Sequence, residues 1–213
     1  PAAAVPSRGR RVHRSNVETR NTRTRLRPVT EFVPFNRPGP VGRELEYIQA
    51  ALDSNTLSAG GDFTNRCTDW LERETTARKA LLVHSCTAAL EMAALLSDVG
   101  PGDEVIVPSF TFVSSANAFL LFGATPVFAD IDPEHFNISP ESIAARITPR
   151  TKAVVIVHYG GISCDMPSIR RICDENGLIL IEDCAHALFA SWCGRGSVGD
   201  PVGLGVLGST QSG

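Results

Sequence analysis

The chain has 213 residues, 43% of them hydrophobic, and a formal net charge of -3, which is enough for one domain with a sizeable core. No apolar run approaches the ~20 residues of a membrane span, and no charged start leads into a signal-type apolar stretch, so membrane contact is excluded and a cytoplasmic protein is expected. The charge is uneven: residues 1–30 carry eight arginines against one acid, Glu18, about +7 there and about -10 over the rest.

This first stretch has few apolar residues and no periodicity, so residues 1–30 read as a disordered Arg-rich tail. It is taken as a solvated extension rather than a nucleic-acid-binding arm; its acid-poor start also resembles a transit peptide, without organelle context. The six cysteines at 67, 86, 164, 173, 184 and 193 include no C-x-x-C pair. They read as reduced, mostly buried thiols, with neither a disulfide framework nor a metal site.

Taken in chain order, Glu44–Leu52 and Phe63–Leu71 are predicted helices. Ala80–Val83 is a short predicted strand, Thr87–Leu96 an apolar helix, and Asp98–Asp103 a turn. Glu104–Val107 is the next strand, ended by Pro108, and Phe112–Phe122 the next helix. Pro126–Ala129 is a strand ending at Asp130, and Asp130 and Asp132 form a turn before Glu134. Ser139-Pro140 opens a helix to Ile147, with proline at a favoured first-turn position. Ala153–Val157 is a strand, and Met166–Glu175 is a helix stopped by Asn176-Gly177. Leu178–Ile181 is a strand running into Glu182-Asp183-Cys-Ala-His186, and Phe189–Trp192 is a candidate for one more.

Five apolar runs separated by helices predict an α/β fold, a mainly parallel sheet sandwiched by helices. Ligands of such sheets sit at the carboxyl ends of the strands. That rule selects His84–Ala88, Pro108–Phe112, His158–Gly161 and Glu182–His186. The small and hydroxyl residues of Ser85-Cys-Thr-Ala88 fit a phosphate at a helix N-terminus, or a plain N-cap. Phe110 and Phe112 can lie on a planar ring or pack in the core. Asp183 can pair with a protonated ring nitrogen or cap a turn. Two G-x-G-x-x-G matches, at Gly194–Gly199 and Gly203–Gly208, lack the helix that a dinucleotide site needs. Asn137-Ile-Ser139 matches a glycosylation acceptor, but Pro140 follows it.

Together these segments resemble the pyridoxal-phosphate-dependent sugar aminotransferases of the DegT/DnrJ/EryC1/StrS family. The pieces come in family order: Pro34-Phe-Asn-Arg-Pro38, Gly60-Gly-Asp-Phe-Thr64, Ser85-Cys-Thr-Ala-Ala-Leu90, Gly102–Phe112, Gly123-Ala-Thr-Pro126, Ile147–Lys152, Val157-His-Tyr-Gly160 and Glu182–Ala187. The resemblance spans about residues 32–200, the N-terminal part of a fold-type-I large domain. The segment Leu57–Trp70 is most like that of dTDP-4-amino-4,6-dideoxygalactose transaminases.

The resemblance implies roles for particular residues. Thr87 and Ala88 hold the cofactor phosphate, Phe112 stacks on the pyridine ring, Asp183 pairs with the ring nitrogen, and His186 sits near the ring hydroxyl. It implies pyridoxal 5'-phosphate as cofactor, a 4-keto nucleotide sugar as substrate, glutamate as amino donor and a homodimer. It also implies a Schiff-base lysine in a Ser-Phe-His-x-x-Lys-type segment soon after Asp200. This chain has only Lys79 and Lys152, and neither lies there. The expectation is therefore a partial large domain over residues 31–200 and a non-homologous Gly-rich tail over 201–213. No small domain follows, the product is truncated or frameshifted, and there is no transamination. Two other readings are a lysine-less sugar dehydratase relative that uses a histidine base, and a non-catalytic binding module on the same sheet.

Overall fold

The chain is described by a computed structural model that covers residue 34 and residues 39–75, 77–188 and 206–207. It divides into two units, residues 1–45 and 46–213. In the first, the Val41 and Gly42 N–H groups donate to the Glu44 carboxylate at 2.6 and 2.9 Å, which ties down the chain just ahead of the residue where helix α1 (Glu44–Asp53) begins.

The second unit continues with α2 (Asp62–Thr75) and α3 (Cys86–Leu96), then alternates: β1 (Glu104–Pro108), α4 (Ser114–Leu120), β2 (Thr125–Ala129), α5 (Pro140–Arg146), β3 (Thr151–Val157), α6 (Met166–Asn176) and β4 (Ile179–Asp183). A two-residue strand β5 (Val206–Leu207) completes the sheet, whose order is β2-β1-β3-β4-β5. The first four strands are parallel and β5 is antiparallel to β4. This is the expected α/β architecture, a mainly parallel sheet with helices on both faces.

The strands carry long apolar runs because both faces are covered. Alternate residues go to opposite sides. Val105, Val107, Ala153, Val155 and Ile181 pack under Leu90, Ala93 and Ala94 of α3 and Phe119 of α4. Ile106, Val154, Ile156 and Leu180 pack under Ile143 of α5 and Ile169 and Cys173 of α6. Burying each of the larger of these side chains contributes about 1.5–3 kcal/mol. Local signals set the helix ends. Ser139 Oγ accepts the Ser142 N–H at the start of α5, and Gly177 ends α6 with φ +63°, a left-handed turn that glycine adopts without strain.

Several element ends shift by a few residues from the sequence reading, and three differences bear on the sheet and the strand ends. Ala80–Val83 is not a strand; Leu81, Leu82 and Val83 are exposed. A strand needs a neighbour's hydrogen-bond ladder, and among the described residues none runs beside it. Helix α4 starts at Ser114, not Phe112, which leaves Phe110–Phe112 in the turn after β1. Strand β4 runs through both acids to Asp183, because Glu182 and Asp183 pair with Ile156 and Val157 of β3. Phe189–Trp192 and the first G-x-G-x-x-G match lie outside the described residues. Of the described cysteines, Cys67 is exposed, Cys86 half-buried, and Cys164, Cys173 and Cys184 buried; none of the five is in a disulfide. No described helix is long and apolar enough to cross a membrane.

Candidate functional site

The parallel strands end together at one edge, and the turns after β1, β3 and β4 meet the start of α3 there. They enclose a cavity of about 480 Å³ lined by Cys86, Thr87, Phe110, Thr111, Phe112, Ser114, Val157, Tyr159, Asp183, Ala185 and His186. This size lies within the range of small-molecule sites. Thr87, Phe112, Asp183 and His186, four of the five residues singled out in the sequence, share this one cavity. The fifth, Ala88, is not among the lining residues. Its N–H donates to Ser85 Oγ at 3.1 Å, so the plain N-cap is realised at this turn. Cys86 and Thr87 follow that cap in the first turn of α3, where N–H groups have no carbonyl of the helix to bond. Thr87 Oγ1 makes no hydrogen bond among the described residues.

Asp183 is the charged group of the cavity and is 6% exposed. Its Oδ1 accepts from Cys86 Sγ at 3.3 Å and from the Ala185 N–H at 3.0 Å. Its Oδ2 has no partner among the described residues. The residue is buried but this oxygen is not sealed off by protein, so it is the one open to a donor from a ligand in the cavity. Burial, and next the Asp183 charge, push the Cys86 thiol up to about 12, so it stays a hydrogen donor.

The opposite wall is aromatic. Phe110 stands 4.9 Å from Tyr159 and 5.5 Å from Phe136, ring to ring. Phe112 is 72% exposed and presents its ring without a packing partner in this row. His186 Nδ1 accepts the Gly160 N–H at 3.3 Å, and its ring meets Tyr159 edge-on at 5.8 Å. That bond leaves the proton on Nε2, a donor. Gly161 is required where it stands: φ is +82°, and a Cβ would meet the His186 carbonyl oxygen at 3.0 Å.

Sequence reasoning missed three contributors. In the sequence Cys86 stands only as one of the small residues of the α3 turn. Tyr159 stands in the sequence only as a residue after a predicted strand. Asn137 drew notice only as a glycosylation match; it is 5% exposed, its Oδ1 accepts the Tyr159 N–H at 2.9 Å and its Nδ2 donates to the Ile162 carbonyl at 3.0 Å. It thereby anchors the loop that carries Tyr159. No local pattern announces such a contact across 22 residues.

A second polar group lies on the other face of the sheet. His158 is fully buried, Glu182 nearly so, and His158 Nε2 is 3.3 Å from Glu182 Oε2. Arg170 of α6 is 3.6 Å from Glu182 Oε1. The ligating atoms of His158, Glu182 and Cys184 lie within 4.8 Å of one another, a spacing that could suit a metal. The hydrogen bonds argue otherwise. His158 Nδ1 accepts the Cys164 N–H at 3.1 Å, so the ring proton is on Nε2 and points at Glu182. A metal on Nε2 would leave the ring with no proton on either nitrogen.

Neither lysine lines the cavity. Lys79 Nζ pairs with Glu72 at 2.9 Å. Lys152 is at the amino end of β3, where Nζ donates to the Asp98 carbonyl and lies 3.4 Å from Asp103.

Comparison with known proteins puts this geometry in context. The spore coat polysaccharide biosynthesis protein SpsC of Bacillus subtilis (strain 168) is 43% identical over 175 residues, 79% of this chain and 44% of the relative. GDP-perosamine synthase of Vibrio cholerae is 39% identical over 180 residues, 84% of this chain and 49% of that enzyme. The chain thus spans about half the length of the curated relatives it matches. Among solved structures, NtdA from Bacillus subtilis with bound cofactor PMP superposes with a TM-score of 0.63 at 33% identity, covering 66% of this chain and 32% of that one. The sheet described above is accordingly that of a fold-type-I large domain. The family pattern for DegT/DnrJ/EryC1/StrS aminotransferases matches residues 41–205, and the chain belongs to that family.

Proposed function

We propose that the cavity binds pyridoxal phosphate, and that the reaction it serves is transfer of an amino group from glutamate to a 4-keto-6-deoxy nucleotide sugar. The observation that carries this reading is Asp183: a buried carboxylate with one oxygen unpaired, in the same cavity as an open helix N-terminus. The donor set fits the group. Thr87 Oγ1 and the free N–H groups of the first turn of α3 suit a phosphate dianion, which the positive end of the helix also favours. Asp183 Oδ2 suits a protonated pyridine nitrogen. SpsC and GDP-perosamine synthase, by their names, act in polysaccharide and amino-sugar synthesis, and the PMP-bound relative supports the cofactor class.

When bound, the cofactor supplies an electron sink. The chain's residues hold it ready. Asp183 keeps a proton on the ring nitrogen through a charge-assisted hydrogen bond. Phe112 covers one ring face. The His186 Nε2–H donates toward the ring hydroxyl, its orientation set by Gly160. Ala88 keeps the α3 turn small, so that phosphate can approach the backbone. With Lys79 and Lys152 engaged elsewhere, this chain by itself holds the cofactor without a covalent link and does not transaminate.

Fluorescence titration with pyridoxamine phosphate, against pyridoxamine without the phosphate, tests the reading. Pyridoxamine phosphate is expected to bind at least about tenfold more tightly, the worth of one or two charge-assisted hydrogen bonds. Borohydride after incubation with pyridoxal phosphate is expected to leave Lys79 and Lys152 unmodified by peptide mass. Equal affinity for the two amines, or a reduced adduct on either lysine, would contradict it.

A further inference from the structure

Asp183 has two oxygens and three calls on them: two donors from the protein and one from the ligand. Cys86 Sγ and the Ala185 N–H both end on Oδ1. The Ala185 bond is local, two residues along the chain. The Cys86 bond is not. It crosses 97 residues, from the first residue of α3 to the last of β4, and so ties the phosphate end of the cradle to its acid. With Oδ1 doubly held, the carboxylate plane is set and Oδ2 alone is left for the cavity. Cys86 is half-buried and lines that cavity itself, so no water layer separates the thiol from the site.

We propose that Cys86 is a positioning residue for Asp183: its thiol donates to Oδ1 and turns Oδ2 toward the ring nitrogen of the bound cofactor. This rests on the pyridoxal phosphate reading of the cavity. The role asks only for a hydrogen donor of suitable reach. Serine can therefore stand in for cysteine, and alanine cannot. A merely structural role, such as packing the start of α3, would disturb every phosphorylated ligand alike. A positioning role acts through the ring nitrogen alone.

The test uses the full chain, calorimetry, and two ligands: pyridoxamine phosphate, and benzyl phosphate, which has a ring and a phosphate but no ring nitrogen. Cys86→Ala is expected to weaken pyridoxamine phosphate by about tenfold, the worth of one hydrogen bond to a charged group. Its affinity for benzyl phosphate is expected to stay unchanged. Cys86→Ser is expected to stay within about threefold of the wild type for both ligands, because a hydroxyl replaces the donor. A second readout needs no ligand: alkylation by iodoacetamide at pH 8, followed by peptide mass with exposed Cys67 as internal standard. Asp183→Ala removes the acceptor and its charge and is expected to speed Cys86 several-fold relative to Cys67. Equal losses for the two ligands, no loss in Cys86→Ala, or an unchanged Cys86 to Cys67 ratio would each overturn the proposal. If wild-type chain binds benzyl phosphate and pyridoxamine phosphate equally, the cofactor reading falls, and the proposal with it.

Discussion

Glu182 and Asp183 are adjacent on β4, and the two-residue period of a strand sends them to opposite faces of the sheet. Glu182 goes under α6, where His158 and Arg170 take both its oxygens and the Cys164 N–H fixes the histidine ring. Asp183 goes to the α3 side, where one oxygen is doubly held and the other is left to the cavity. Both are buried acids at the same strand end. One is closed by the protein, and the other is left open by it. A carboxylate satisfied on all sides is structural, whereas one satisfied on one oxygen is waiting for a partner.

The comparison breaks most visibly in stability. Glu182→Ala strands a buried His158 N–H and breaks the buried pair at the end of β4, so urea unfolding is expected to show a loss of about 3 kcal/mol. Asp183→Asn should change stability by less than about 1 kcal/mol, because it removes no completed network, while weakening pyridoxamine phosphate more than about tenfold. If the two variants lost equal stability, the contrast between the faces would be wrong. A smaller effect is expected from Asn137→Ala, about 1 kcal/mol for two part-buried backbone groups that lose their partner, with Tyr159 hydrogen exchange rising alongside. Gly161→Ala forces a left-handed φ and a close approach to the His186 carbonyl, a cost of about 1–2 kcal/mol; it should loosen the His186 side and spare Glu182.

The least disruptive probe is acid, and it reads a third carboxylate at the other end of the strands. Glu104 is held below the ordinary carboxylate range by the Thr148 hydroxyl and then by Arg150. A lowered folded value means that its stabilisation is full above the ordinary value near 4.5 and is lost as pH falls through the lowered one. Glu104→Gln is expected to flatten the acid limb of the stability curve and to leave cofactor affinity at neutral pH unchanged.

Much of the fold was legible because its causes are local. The apolar runs of β1, β3 and β4 report burial on two faces, and Ser139 and Gly177 mark helix ends through side-chain and backbone chemistry that needs no distant partner. Ala80–Val83 has the composition of a strand, but a strand is a relation to a neighbour, which composition does not contain. The site divides in the same way. Thr87, Phe112, Asp183 and His186 were legible as strand-end residues of a family-like order, and they do meet in one cavity. Cys86, Asn137 and Tyr159 act through contacts across 97 and 22 residues, and nothing near them in sequence signals those partners. That Glu182 and Asp183 differ was latent in the strand period, but which one faces ligand depended on where α3 and α6 pack.

The central claim is that Asp183 Oδ2 awaits a protonated ring nitrogen. Nitrogen-15 NMR of pyridoxamine phosphate labelled at that atom and bound to the chain tests it most directly. The account predicts the chemical shift of a protonated pyridinium in the wild type at neutral pH, moving to that of the neutral ring in Asp183→Asn. A neutral-ring shift in the wild type, or the same shift in both proteins, would contradict it.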